Sequence, residues 1–216
     1  MNMKPILFSH SYFLRFDPKQ WSIGQPYAPL GTIYAAALMR EQGYAVDLFD
    51  AMFARQPEEL ISYLDKQSPQ FFVIYDDGFN YLTKMCLTRM REAAFDMAKT
   101  GKAQGCHVIV NSSDSTDHFE QYLKEGADFV ILGEGEQTLQ ALIAALEAGV
   151  RDFSDIAGLA YCPENSENVL RTAPRPVLHD LDELPDPAWD LVDIAAYKNI
   201  WERAHGTFSL NLATTR

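Results

Sequence analysis

The stretch Asp128-Phe-Val-Ile-Leu132, followed at once by Gly133-Glu-Gly-Glu136 and by an apolar run from Gln137 to Ala148, decides the fold. Its first part predicts a short buried strand, and its last part predicts a helix that packs on the strand. The glycines between them allow a tight turn and a close approach of ligand to backbone. A buried strand that turns directly into a covering helix is typical of parallel sheets. This stretch therefore predicts an α/β protein.

The same alternation of strand and helix extends back to the start of the chain. Four further apolar strands are predicted, at residues 5–10, 44–50, 71–75 and 107–111. Helices are predicted at residues 31–42, 57–66, 82–99 and 117–125, and residues 11–28 form a long loop, of a kind that usually serves a ligand. Because crossovers between parallel strands are right-handed, few topologies fit. We predict a doubly wound five-stranded parallel sheet, Rossmann-like, with a flavodoxin-like strand order.

After Ala148 the pattern changes. Residues 156–161 and 169–172 can pair as a hairpin, and the Pro- and Asp-rich residues 173–193 predict an extended linker on the surface. We predict three parts: the Rossmann-like domain at 1–148, the hairpin and linker as an appendage at 149–205, and a strand at 206–216 that belongs to a further domain. Because this last strand has nothing to pair with, we expect the chain to be the front part of a longer protein.

Composition excludes several classes of function. A net charge of −12 argues against nucleic acid, which is bound by basic surfaces. There is no apolar run of about 18 residues, so no membrane partner is predicted. The three cysteines, at positions 86, 106 and 162, have neither paired nor metal-binding spacing, which favours a reducing compartment. We therefore predict a cytoplasmic protein.

The predicted sheet also locates a ligand site. In such folds the ligand binds beyond the carboxyl ends of the strands, where the strand order reverses. The loops that meet there are residues 10–30, Asp76-Asp-Gly-Phe-Asn80, Ser112-Ser-Asp-Ser-Thr116 and Gly133-Glu-Gly-Glu136. Their small and hydrogen-bonding side chains, and the free N–H groups of the helices that follow, suit a bound ligand.

Each loop also has an explanation that needs no ligand. Ser112 can cap the following helix, and Gly133–Glu136 can be a simple turn whose acidic residues lie at the positive end of a helix. Aromatic residues such as Tyr75 and Phe79 are equally typical of a core. Asp76 and Asp77 alone are too few ligands for a metal ion, so no metal site is predicted.

Three segments occur in a distinctive order: Pro29–Leu38 with Gly43–Ala51, then Gly126–Leu139, then Leu184-Pro-Asp-Pro-Ala-Trp-Asp-Leu191. In this order and spacing they resemble the N-terminal part of cobalamin-dependent radical S-adenosylmethionine enzymes, over nearly the whole chain. The resemblance implies that residues 1–148 bind cobalamin. It also implies that residues 206–216 are the first strand of a radical S-adenosylmethionine barrel, cut off just before the cysteines of a [4Fe–4S] cluster.

The resemblance implies that cobalamin lies against the four loop regions. The residues expected to hold it are Pro29, Leu30, Gly31, Asp76, Asp77, Gly78, Phe79, Ser112, Ser113, Asp114, Gly133, Glu134, Gly135 and Glu136. The Asp-x-His-x-x-Gly signature of histidine-ligated cobalamin is absent around His10, so the resemblance implies cobalamin without a histidine ligand. We expect His10 at the rim of the pocket. The cluster and S-adenosylmethionine would bind only in the part after residue 216.

We therefore predict corrinoid binding by the N-terminal module of a radical S-adenosylmethionine enzyme, such as a methyltransferase. Its partner would be its own C-terminal barrel, which would bind most of a substrate that the sequence does not identify. Residues 1–216 alone have no suitably placed cluster cysteines, so we predict no catalytic residue among them. Two alternatives stay open: a flavodoxin-like or receiver-like module, disfavoured because the first strand supplies no acid pair, and a docking or regulatory domain that has lost the cofactor.

Overall fold

The computed structural model describes residues 5–76, 87–164, 166, 168–178, 180 and 184–212. Its strands are β1 (Ile6–Ser9), β2 (Val46–Phe49), β3 (Phe71–Tyr75), β4 (His107–Asn111), β5 (Phe129–Ile131), β6 (Leu159–Tyr161) and β7 (Leu170–Arg171). Its α-helices are α1 (Pro18–Ile23), α2 (Leu30–Glu41), α3 (Leu60–Gln67), α4 (Leu87–Ala103), α5 (Ser113–Asp117), α6 (Phe119–Lys124), α7 (Glu136–Glu147) and α8 (Ile194–His205). The predicted helix start at 82–86, together with Cys86 and residues 213–216, lies outside the described residues.

One sheet contains all of these strands, in the order β2-β1-β3-β4-β5-β6-β7. Strands β1 to β5 are parallel, and the strand order reverses between β1 and β3. The predicted α/β class and flavodoxin-like order are confirmed. The sheet has seven strands rather than five, because β6 pairs antiparallel with β5, and β7 with β6. The predicted hairpin continues the sheet and covers the edge of β5.

Helices cover both faces of the sheet, because successive side chains of a strand point to opposite faces. Helices α2 and α7 pack on the face that carries Phe8 and Val73. Helices α3, α4 and α6 pack on the face that carries Leu7 and Phe72. The central strand β3 is buried on both faces, which explains its continuous apolar sequence, whereas the edge strand β2 carries the partly buried Asp47.

Two regions predicted to lack regular structure contain helices. The loop at 11–28 includes a short 3₁₀ turn at Leu14–Phe16 and helix α1, which Asp17 caps by accepting a hydrogen bond from the Gln20 N–H at 3.0 Å. Helix α8 lies in the region predicted as linker, and it packs on the domain through the buried side chains of Tyr197 and Trp201. The helix predicted at 117–125 is α6, and a further short helix, α5, precedes it in the segment predicted as a loop.

The chain between β7 and α8 crosses the outside of the domain. The Arg175 guanidinium donates to the hydroxyl of Thr138 at 2.6 Å, at the start of α7. Further along, the Ala188 N–H donates to the carbonyl of Ile33 in α2 at 3.1 Å. Residues 206–212 form no strand, and the proposed domain boundaries stay a prediction. Within the described ranges, no helix has the length and apolarity needed to cross a membrane.

Candidate functional site

The candidate site lies at the carboxyl edge of the parallel strands. The residues that follow the strands at this edge are His10 and Ser11 after β1, Asp50 after β2, Asp76 after β3, Ser112–Asp114 after β4 and Gly133–Glu136 after β5. The register places Tyr75 beside Asn111, and Asn111 beside Ile131, so the ends of β3, β4 and β5 are neighbours. The structure therefore brings together the described parts of the four predicted loops.

Asp76 accepts two hydrogen bonds from Ser11 at the point where the strand order reverses. The Ser11 N–H donates to Asp76 Oδ1 at 2.5 Å, and the Ser11 hydroxyl donates to Oδ2 at 2.7 Å. Burial raises the pKa of Asp76, although both Ser11 hydrogen bonds act to lower it. No sequence motif singled out Ser11. The other residues predicted in this loop, Asp77, Gly78 and Phe79, lie outside the described residues.

Replacing Asp76 by Asn is expected to stabilise the protein at neutral pH. Folding raises the pKa of the Asp76 carboxyl above its unfolded value of about 3.8. The protein therefore loses stability as the pH rises through the pKa of the folded state, where the buried carboxyl becomes charged. Asn keeps an acceptor for the Ser11 N–H, so we expect the free energy of unfolding to rise by about 1 kcal/mol at pH 7 to 8. Urea titrations between about pH 3 and 8 should show this gain disappearing in acid. Lower stability of Asp76→Asn at neutral pH would contradict it.

Asp114 is held in an ion pair with Arg91 of α4. Arg91 donates from Nε at 2.8 Å and from Nη2 at 2.5 Å, and the Tyr122 hydroxyl donates at 2.8 Å. Burial acts to raise the pKa of Asp114, but these hydrogen bonds outweigh it and lower the pKa. Burial, together with the charges of Asp76 and Asp114, raises the pKa of Tyr122, so its hydroxyl remains a donor. Both Asp114 oxygens are thus already bonded within the protein.

A narrow cleft lies between the ends of β3 and β4. Its lining residues are Ser11, Asp76, Leu87, Met90, Arg91, Ser112, Ser113, Asp114 and Tyr122. The enclosed space is about 20 Å³, which holds roughly one water molecule. A larger ligand would therefore rest on the mouth of the cleft, where Ser113 is exposed.

Ser112 caps helix α5. Its hydroxyl accepts from the Ser115 N–H at 2.7 Å, and the Ser115 hydroxyl accepts from the Ser112 N–H at 2.8 Å. This reciprocal arrangement is a capping box. The expectation that Ser112 caps the following helix is thereby confirmed. The cap also explains why a helix begins at Ser113, before the predicted start at residue 117.

The loop Gly133–Glu136 has open space at Gly133 and close packing at Gly135. Gly133 has a φ of +76°, and a Cβ added there would meet nothing within 4 Å. At Gly135 an added Cβ would lie 2.7 Å from the ring and the hydroxyl of Tyr75. The Glu134 carboxylate accepts from the Leu178 N–H at 2.9 Å, and Glu136 is buried. Gly133 is therefore the open position of this loop.

The start of α2 is tied to the end of β3. Pro29 precedes the helix and its carbonyl accepts from the Ile33 N–H at 3.0 Å. The Thr32 hydroxyl donates to the carbonyl of Tyr75 at 2.5 Å. Leu30 is buried, and Gly31 is half-buried. These contacts place the predicted residues Pro29, Leu30 and Gly31 next to the candidate site.

His10 is buried beneath the edge and does not lie at a pocket rim, so that expectation was wrong. Its Nδ1 accepts from the Tyr12 N–H at 3.3 Å, which leaves the ring proton on Nε2, 2.8 Å from Asp50 Oδ1. The other Asp50 oxygen accepts from the Tyr197 hydroxyl at 2.8 Å. Both ring nitrogens are therefore engaged. The sequence could have indicated Asp50, because it is a polar residue directly after a strand. It could not have indicated Tyr197, which lies 147 positions from Asp50 in the chain.

Comparison with known proteins gives relatives that are much longer than this chain. The chain is 27% identical over 172 residues to the anaerobic magnesium-protoporphyrin IX monomethyl ester cyclase of Synechocystis, covering 78% of the chain and 32% of the relative. It is 29% identical over 180 residues to the uncharacterized methyltransferase PH0819 of Pyrococcus horikoshii, covering 82% and 36%. The chain thus spans about a third of the length of these curated relatives. No family model matches it.

Solved structures share its fold. The cobalamin-dependent S-adenosylmethionine radical enzyme OxsB, with aqua-cobalamin and S-adenosylmethionine bound, aligns with a TM-score of 0.66 and 18% identity over 91% of this chain and 26% of OxsB. The radical S-adenosylmethionine methyltransferase TsrM of Kitasatospora setae, with cobalamin and a [4Fe-4S] cluster bound, aligns with a TM-score of 0.60 and 18% identity over 86% of this chain and 31% of TsrM. The resemblance predicted from the motifs is therefore confirmed: this chain has the fold of the aligned parts of cobalamin-dependent radical S-adenosylmethionine enzymes.

Proposed function

We propose that residues 1–148 bind a corrinoid at the carboxyl edge, as one module of a radical S-adenosylmethionine enzyme. The observation that carries the proposal is the open space beside Gly133 together with the exposed Ser113, which follow the neighbouring strands β5 and β4. Small groups at these positions leave room for a large planar ligand. The fold shared with enzymes solved with cobalamin bound supports this choice of ligand.

The described residues fit a corrinoid that rests on the edge without a histidine ligand. His10 has both ring nitrogens engaged, which supports cobalamin without histidine ligation from this position. The exposed Ser113 hydroxyl suits the amide side chains of a corrin. The Gly133 N–H and carbonyl already bond the Thr116 hydroxyl and the Asn111 amide, so Gly133 contributes open space rather than hydrogen-bonding groups. Asp114 and Glu134 already bind Arg91 and Leu178, so in this proposal they shape the site and do not contact the ligand.

A bound corrinoid supplies a cobalt centre that carries a methyl group, and the protein supplies binding and orientation. We propose that a radical S-adenosylmethionine barrel of the same protein holds the [4Fe–4S] cluster, S-adenosylmethionine and most of the substrate. The methyltransferase among the curated relatives supports methyl transfer as the reaction of the whole protein. In this proposal residues 1–216 contribute no catalytic residue, and the cytoplasmic location stays a prediction.

The proposal is tested by anaerobic gel filtration of the chain with hydroxocobalamin, followed by visible spectroscopy. We expect coelution with a spectrum that lacks histidine ligation, and the same spectrum from His10→Asn. We expect Gly133→Leu to weaken binding at least about tenfold, equivalent to 1.4 kcal/mol, because the side chain occupies the open surface.

Gly105→Leu is the matched control for this experiment. Gly105 also has a positive φ, of +81°, and open space around its missing Cβ, but it lies before β4 at the opposite edge. Both variants therefore carry the same backbone strain, about 1 to 2 kcal/mol. Equal loss of binding in both would contradict this location of the site. Absence of coelution with the wild-type chain would favour the alternative, a docking or regulatory domain without cofactor.

A further inference from the structure

Helix α8 binds the loop after β1 through a set of side-chain donors. The Trp201 indole N–H donates to the carbonyl of Pro26 at 2.7 Å. A His205 ring nitrogen lies 3.0 Å from the carbonyl of Ile23, and the Asn211 amide donates to the carbonyl of Ala28 at 3.0 Å. Three backbone carbonyls of one loop thus face polar groups from residues 201–211. Carbonyls at a helix end or in irregular backbone need such partners wherever water is excluded.

The packing between α8 and this loop is close. An added Cβ at Gly24 would lie 2.9 Å from the Cβ of Ala204, so only glycine lets the two backbones approach to this distance. Gly24 also has a φ of +70°, which ends α1 in the left-handed conformation. The ring of Tyr27 packs edge-to-face on Trp201 at 5.4 Å between centroids. The loop leads directly into Pro29 and the start of α2.

The same helix reaches the end of β2 and, through it, the end of β1. Tyr197 is buried, packs on Phe53 at 4.5 Å between ring centroids, and donates its hydroxyl to Asp50. Burial, followed by the charge of Asp50, raises the pKa of Tyr197 well above its usual value, so the hydroxyl stays protonated. Asp50 in turn accepts from His10, whose neighbour Ser11 holds Asp76. Two sets of hydrogen bonds, joined by the peptide bond between His10 and Ser11, thus connect α8 to the candidate site.

We infer that Tyr197 and Trp201 are positioning residues of the candidate site, acting through Asp50–His10 and through the carbonyl of Pro26. This inference rests on the proposed corrinoid function. Helix α8 holds the loops after β1 and β2 in the conformation that places Ser11, Asp76 and Pro29 at the carboxyl edge, where they shape the site. A chain whose α8 is loosened should keep its sheet but bind corrinoid less tightly.

The test compares the full chain with Tyr197→Phe/Trp201→Phe, which removes two donors and keeps an aromatic side chain at each position. We expect trypsin to cleave about tenfold faster after the exposed Lys19 in α1, as followed by mass spectrometry, because cleavage follows the population of the open loop. We expect hydroxocobalamin to bind about tenfold more weakly, with an unchanged visible spectrum of the bound fraction.

Two controls separate positioning from general loss of stability. Tyr44→Phe removes a hydroxyl that donates to Glu147 on the exposed surface and should change neither readout. Leu64→Val shortens a buried side chain of α3 on the other face of the sheet, and should lower the melting temperature without faster cleavage after Lys19. Unchanged cleavage in the double variant overturns the inference, and so does faster cleavage with unchanged affinity. Failure of the proposed function is distinct, because the wild-type chain itself would then retain no corrinoid.

Discussion

Replacing Arg91 by Leu is expected to lower the free energy of unfolding by about 3 to 5 kcal/mol, as is usual when one partner of a buried ion pair is removed. The side chain of Asp114 is only 9% exposed and that of Arg91 20%, so removing the guanidinium leaves the carboxylate poorly solvated. The Asp114 carboxylate would keep the Tyr122 hydroxyl but lose both charge-assisted bonds. Urea unfolding at pH 7 measures the effect.

Arg40→Leu is the matched control. Arg40 binds Asp190 through two hydrogen bonds of 2.8 and 3.0 Å, but these side chains are 40% and 66% exposed. Exposed pairs contribute less than about 1 kcal/mol, so this variant should be nearly as stable as wild type. Adding Asp114→Asn to Arg91→Leu should recover much of the loss, since no unpaired charge then remains. Equal costs for Arg91→Leu and Arg40→Leu would contradict the assignment.

The Arg91 prediction also has a pH dependence. Folding lowers the pKa of Asp114, so its ionic contribution is complete above the unfolded value of about 3.8 and is lost as pH falls through the folded value. The difference between wild type and Arg91→Leu should therefore shrink in acid. A difference that stays constant to about pH 2 would indicate lost packing by the Arg91 side chain instead.

Replacing Gly135 by Val is expected to cost about 3 kcal/mol, at the upper end for overpacking a filled interior. The φ of Gly135 is −100° and its ψ is −20°, which any residue adopts, so no backbone strain is involved. The cost comes from the Tyr75 ring and hydroxyl and from the Asn111 side chain, which lie 2.7 to 3.0 Å from an added Cβ. Tyr75 is only 4% exposed and has little room to move aside. Thermal unfolding measures the loss.

A second-site change tests this cause. Tyr75→Leu vacates the space beside Gly135, so the double variant should be more stable than the sum of the single effects predicts, by about 1 kcal/mol or more. Gly133→Val provides the contrast, because its cost is backbone strain at a φ of +76° and Tyr75→Leu should not relieve it. Additive effects in the Gly135→Val pair would show that Tyr75 is not the obstacle.

The sheet was predictable because its strands are buried on both faces. Runs such as Phe71–Tyr75 have no polar side, and the glycines and polar residues around them mark their ends. Helix α8 was not predictable, since its buried side chains are Tyr197 and Trp201 and it follows a segment rich in Pro and Asp. It is stabilised by contacts with the loops after β1 and β2, which are distant in sequence. Helix α1 has six residues, too few for a periodic pattern.

The position of the candidate site followed from topology, but its internal bonds did not. Parallel strands bring their carboxyl ends together whatever the side chains are, so the loops containing Asp76, Ser112 and Gly133 had to be neighbours. Which groups pair there depends on rotamers and on packing of separate elements. Ser11 and Asp76 are 65 positions apart, and Arg91 and Asp114 are 23 apart. His10 was misplaced for the same reason, since its partner Asp50 follows a different strand.

The donors that bond the loop after β1 are synthesised long after the loop itself. Trp201 is made 175 positions after Pro26, and Asn211 is made 183 positions after Ala28. Because chains are synthesised at about 5 to 20 residues per second, these donors follow the loop by roughly 10 to 35 s. All five parallel strands have left the ribosome's active centre by then. The sheet can thus assemble on the nascent chain before the loop after β1 acquires its bonds to Trp201 and Asn211.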